Sequence, residues 1–200
     1  AEVSILHNGI DPLAWPYHAT GDGSAVWCGR ITANKGPHLA AKAAHIAGVP
    51  LTLFGTVEER DYWDAEVRPL LGGSIRYAGH LRGAALAAEI GRASLLLFTP
   101  RWDEPFGLVA VEAMSCGLPV ASTDRGAARE VIAEAGVFAP VDDPDALAAA
   151  IPIAMAIPRT VPRSRVQRMF TRDLWLDRCE GLYRTVAADL GDNGLSGEIA

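Results

Sequence analysis

The chain has 200 residues, half of them hydrophobic, and a formal net charge of −6. That length and apolar content suit one well-packed domain with at most an appendage, and they exclude a disordered chain. The acidic balance argues against a nucleic-acid surface or a polybasic membrane patch, and no stretch reaches the roughly 20 uninterrupted apolar residues that cross a bilayer.

Cys28, Cys116 and Cys179 are odd in number and far apart. They read as buried thiols of a reducing compartment, not as a disulfide frame. No Cys or His pair has metal-site spacing. No basic, apolar leader opens the chain, so a cytoplasmic protein is expected. The start at Ala1, without Met, suggests a processed product or a piece of a longer protein.

Along the chain, short apolar runs alternate with longer amphipathic ones. The first run, 25–28, predicts a strand. "CGRITANKG" follows it, where Gly29 permits a tight turn and Arg30 and Lys35 precede a helix predicted over 37–47. Two cations beside a helix N-terminus make a site for a phosphate or diphosphate. Taken alone, the pair reads equally well as two solvated surface cations. A second strand over 51–54 ends in "LFGTVEE", which reads as a strand-to-helix turn into a helix over 58–70. A third strand over 75–77 ends in "YAGHLRG". There Gly79, His80 and Leu81 offer backbone groups to a nucleobase edge, although a lone His80 is more often an exposed loop residue than a catalyst. A helix over 82–91 and a fourth strand over 95–98 come next.

The loop after that strand, "TPRWDEPFGLVAVEAM", carries the most chemistry. Pro105 and Gly107 shape a turn into a helix over 107–116, whose first N–H groups can donate to ligand oxygens. Glu104 stands at the entrance, where its carboxylate can accept from sugar hydroxyls. Glu112 follows with seven residues between, inside an apolar helix. An ionised carboxylate is costly to bury unpaired. It is tolerated if it reaches the strand ends and accepts from a vicinal diol such as a ribose. The alternative is the solvent stripe of an amphipathic helix, though Val109, Ala110, Val111, Ala113 and Met114 leave little other polar stripe.

A fifth strand over 120–122 leads through "STDRGAAREVI" to a helix over 126–134, which Ser122 or Thr123 would cap. A sixth strand covers 137–139. An Ala-rich helix over 143–157 stops at Pro158, and a last helix covers 173–189 with Asp173 near its N-cap. Strands alternating with helices predict an α/β fold: a Rossmann-like, doubly wound parallel sheet of about six strands with C-terminal helices. Residues 1–190 then form one doubly wound domain with a helical extension over about 143–190, and 191–200 form a frayed tail. Ligands in such folds bind beyond the carboxyl ends of the strands.

Together these pieces resemble the C-terminal, donor-binding domain of the retaining GT-B glycosyltransferases of family four, the glycosyl transferases group 1. "HNGID" at 7–11, GR with KG, "AGHL", the E-x7-E element with its FGL and EAM, "GAAREVI" and "GLYR" at 181–184 occur in the family's order. The resemblance implies that Arg30 and Lys35 grip the donor diphosphate and that Glu104 holds donor-sugar hydroxyls. It implies that Phe106, Gly107 and Leu108 turn their N–H groups to the sugar and phosphate, that Glu112 binds the ribose, and that Gly79–Leu81 lies beside the base. Gly126 followed by Ala127 departs from the family's two glycines, and Arg101, Trp102 and Asp103 replace the Ser that commonly precedes the acidic stretch.

The resemblance further implies retaining hexosyl transfer from a UDP-, GDP- or ADP-sugar, with no cofactor and no metal, because cations and helix ends meet the leaving charge. The N-terminal acceptor domain is absent from this chain, so the chain alone is expected to bind donor without turnover. Two rivals remain: a nucleotide-sugar epimerase-type relative, and a non-catalytic nucleotide-binding module. Turnover separates the enzyme from the binding module. An unrelated dinucleotide or flavin protein is disfavoured, since no G-x-G-x-x-G follows the first strand.

Overall fold

Six strands join in one parallel sheet of order β3-β2-β1-β4-β5-β6. The computed structural model describes residues 5–193. The strands are β1 (Ala25–Cys28), β2 (Leu51–Phe54), β3 (Ile75–Tyr77), β4 (Leu95–Phe98), β5 (Val120–Thr123) and β6 (Gly136–Ala139). Their residues alternate between two cores, as the period of two in a strand requires. Leu95 and Leu97 face one layer; Leu96 and Phe98 face the other. Both faces are covered, which is why the strands read as continuous apolar runs.

One layer holds α1 (Pro37–Ala47) and α6 (Pro144–Met155), which pack on Trp27, Leu53 and Leu97. The other holds α3 (Gly83–Arg92), α4 (Leu108–Ser115), α5 (Ala128–Ile132) and α7 (Thr160–Met169), which pack on Val26, Leu96 and Val120. α8 (Arg172–Asn193) follows. Its start is tied to the N-terminal segment: Ile10 N donates to Phe170 O at 2.9 Å, and Arg172 N donates to Ile10 O at 2.7 Å. Among the described residues, no helix is long and apolar enough to cross a membrane.

The expected single helix over 58–70 is instead three short turns. α2 (Arg60–Tyr62) runs into a π-helical stretch, Trp63–Val67, and then a 3₁₀ turn, Arg68–Leu70. Pro69 cannot donate to an α-helical ladder, and the wider π turn places Trp63 and Val67 in the core. α7 was not expected. Its inward residues are few, Pro162 and Val166. Guanidinium groups hold it instead. Arg159 donates to His18 O, Ala93 O, Gly91 O and Cys116 O, at 2.7, 2.8, 3.1 and 3.2 Å. Arg163 and Arg165 reach Ser115 O and Val131 O.

Asp143 caps α6 as a side-chain acceptor from Ala146 N, at 2.9 Å. Asp173 is not the cap of α8; Thr171 Oγ1 accepts from Leu174 N. Neither Ser122 nor Thr123 caps α5, because both hydroxyls donate to backbone carbonyls. Residues 191–193 are the last turn of α8, and the rest of the expected frayed tail lies outside the described residues. All three cysteines are free; Cys116 is buried, while Cys28 and Cys179 are partly so.

Candidate functional site

Sheet order reverses between β1 and β4, and their carboxyl ends open there. This is the switch point at which open α/β sheets take ligands. A cleft of about 360 Å³ lies at that place. Its walls include Gly29, Arg30 and Lys35 after β1, and Glu104, Phe106, Gly107, Leu108 and Glu112 after β4. Eight of the expected site residues therefore meet in one cavity, although the chain separates them by up to 83 positions. Asn8 joins them from the N-terminal segment. A second cavity of about 220 Å³ shares Cys28, Gly29 and Arg30 with the first and adds Gly55, Thr56, His80 and Leu81.

Local chemistry holds the loops in place. Thr99 accepts from Trp27 Nε1 at 2.9 Å, and its hydroxyl lies 2.9 Å from Gly36 O and 3.0 Å from Lys35 O. The Lys35 loop is thereby fastened to the end of β4. Arg101 pairs with Asp142 at 2.6 Å, and Arg101 N donates to Asn34 O. Gly107 adopts φ 86, a left-handed conformation, and a Cβ there would lie 2.7 Å from the Phe98 ring. It starts α4 with the N–H groups of Leu108 and Val109 at the cleft wall, where a helix start leaves them without intrahelical partners.

Each cation of the site has a carboxylate partner. Lys35 is ion-paired with Glu104. Arg30 pairs with Glu58 at 3.1 Å. Glu104 is 8% exposed, and Trp102 Nε1 also donates to its Oε2 at 2.9 Å. Glu112 is different. Burial alone raises its carboxyl to about 7, and the helix around it offers no cation. Burial, then the nearby Glu112, pushes the Cys28 thiol up to about 12.

Three expected residues stand apart from the main cleft. His80 and Leu81 line the second cavity, and His80 Nε2 accepts from Arg82 Nε at 2.6 Å. Gly79 lines neither cavity; its carbonyl accepts from Gly55 N at 2.9 Å and so shapes the wall indirectly. Glu58, Asn8 and Trp102 were missed as site neighbours. "NGID" held a signal for Asn8, and Trp102 stood out only as a departure from the family's pattern; nothing in the sequence marked Glu58. Gly126 does not line the cleft. Its turn sits on the backbone of Glu104, with Ala127 N donating to Glu104 O at 2.8 Å.

Residues 18–167 match the sequence profile described as Glycosyl transferases group 1. The chain belongs to this family. Among curated relatives, it is 32% identical to a glycogen synthase of Mycobacterium tuberculosis, a match covering 82% of this chain and 42% of that protein. The crystal structure of AviGT4, a glycosyltransferase involved in avilamycin A biosynthesis, superposes with a TM-score of 0.84 at 22% identity, over 92% of this chain and 58% of that one. The structure of HepE from Anabaena in complex with UDP-glucose superposes with a TM-score of 0.76 at 20% identity, over 92% and 57%. These structures confirm a GT-B-type Rossmann-like fold. The chain spans about half the length of the curated relatives and solved structures it matches.

Proposed function

We propose that the cleft is the donor site of a retaining, metal-independent glycosyl transfer. It takes a nucleoside-diphosphate sugar, and the hexose passes to an acceptor held by a second, N-terminal domain. One observation carries this reading: two cations, a helix N-terminus and two carboxylates converge at the switch point of the sheet. Membership of the group 1 family and the UDP-glucose complex of HepE agree with it.

Developing negative charge sits on the leaving diphosphate. Arg30, Lys35 and the α4 N-terminus are placed to stabilise it, which is the electrostatic contribution to such a transfer. Their positive charge supplies what a divalent ion supplies elsewhere, so the reading calls for none. Glu104 orients the sugar, and Glu112 accepts from the ribose diol; both act by positioning. This reading gives them no glycosidase acid and nucleophile roles, which need carboxyls flanking one bond. The second cavity takes the base. Leu182, Tyr183 and Val186 on α8 are exposed apolar residues that a second domain would cover.

Calorimetry and thermal shift with UDP, GDP and ADP, and with their glucose, mannose and N-acetylglucosamine conjugates, test the reading. A ligand at about 100 times its Kd stabilises the fold by roughly 2.7 kcal/mol. Glu112→Ala is expected to weaken nucleotide with or without sugar. Glu104→Ala should weaken the conjugate more than the nucleotide, and the Arg30→Ala, Lys35→Ala pair should weaken diphosphates far more than nucleosides. Equal, negligible effects from all of them would sink these roles.

A further inference from the structure

We propose that Trp102 is a positioning residue of the donor site, which fixes Lys35 and Glu104 against each other. The proposal rests on the donor-site reading above and goes beyond it. Trp102 is not part of the cleft wall. It is an exposed residue beside the wall and touches both charged groups at once. Its indole N–H donates to Glu104 Oε2 at 2.9 Å, and the Lys35 ammonium lies 5.1 Å from its ring centroid. The ion pair between Lys35 and Glu104 closes the triangle.

The geometry has a chemical consequence. Oε2 of Glu104 receives both the ammonium and the indole N–H. Oε1 is thereby left to accept from a ligand hydroxyl. A salt bridge alone would let the carboxylate rotate and exchange its oxygens. The indole N–H selects one of them, and the ring face holds the cation at a fixed height. Lys35 keeps further N–H donors for a phosphate oxygen. The loop itself is pinned on either side of Trp102. Arg101 pairs outward with Asp142 at 2.6 Å, and Asp103 pairs outward with Arg125 at 2.9 Å. Residues 101–103 form one device: two anchors and a clamp.

The experiment separates the clamp from the donor reading. The chain has only two lysines, Lys35 and Lys42. Lysine labelled at Cε therefore gives two resonances, and the indole ring current should shift that of Lys35 upfield in the free protein. Trp102→Phe keeps a ring and deletes the N–H; Trp102→Ala deletes both. Binding is measured for UDP with UDP-glucose, GDP with GDP-mannose, and ADP with ADP-glucose. Trp102→Phe should keep nucleotide affinity within about twofold and lose about tenfold for the matching sugar conjugate, the effect of one hydrogen bond to a charged group. Trp102→Ala should lose the Lys35 shift and weaken both ligands. An unshifted Lys35 in wild type overturns the clamp, as does Trp102→Ala with both affinities intact. Equal losses in Trp102→Phe and Trp102→Ala with a lowered Tm would mark a merely structural tryptophan. A shifted Lys35 in a protein that binds none of the six ligands would instead overturn the donor role of the whole cluster.

Discussion

Glu112 is a carboxyl whose burial raises it to about 7 from 4.5. The folded chain therefore holds a proton there, between those two values, that the unfolded chain has released. Stability falls as pH rises through that window and is flat above it. The shift costs at most about 3 kcal/mol. Glu112→Gln should abolish the slope, so urea unfolding at about pH 5 and about pH 8 should show the variant gaining on wild type at the higher value. In the proposed donor site a ribose diol donates to the ionised form, so nucleotide affinity should climb towards about pH 7 by up to tenfold per unit. Calorimetry in two buffers of different ionisation heat should detect the released proton. The position of Glu112 was legible because a lone acid in an apolar helix stands out. The partners of Arg30 and Glu104 were not: Glu58 and Trp102 look like ordinary loop residues until the loops are laid side by side.

Elements differ in what writes them into the sequence. All six strands begin or end within a residue of their apolar runs, since burial on both faces leaves nothing ambiguous. α7 left no such trace, because its attachment is polar. Arg159 spends its guanidinium on four backbone carbonyls from three separate segments, and desolvation lowers its pKa. Arg159→Ala should leave those carbonyls short of donors at a cost of at least about 3 kcal/mol. For a domain of this size that lowers Tm by about 6–12 °C, readable by calorimetry. Exposed arginines such as Arg60 and Arg184, each in an i,i+4 pair, should change Tm hardly at all when replaced.

At the scale of the whole molecule, the two ends of the described chain share one seam. Ile10 is buried, bridges to Thr171, and lies two residues from Asn8 in the cleft wall. Ile10→Ala should cost about 2–4 kcal/mol. Amide exchange should quicken at Ile10 and Arg172 together, and nucleotide affinity should fall with the loosened Asn8. Family order in "NGID" pointed to this stretch, but only the folded chain shows that it fastens the last helix to the site. The turn at Gly126 carries a different lesson. A Cβ there would come within 2.3 Å of Glu104 N and 2.5 Å of Glu104 O. Any side chain at 126 must therefore push on the main chain of Glu104, the residue proposed to hold the donor sugar. A genetic screen for altered donor preference would recover position 126 beside position 104, and would group the two as one functional locus.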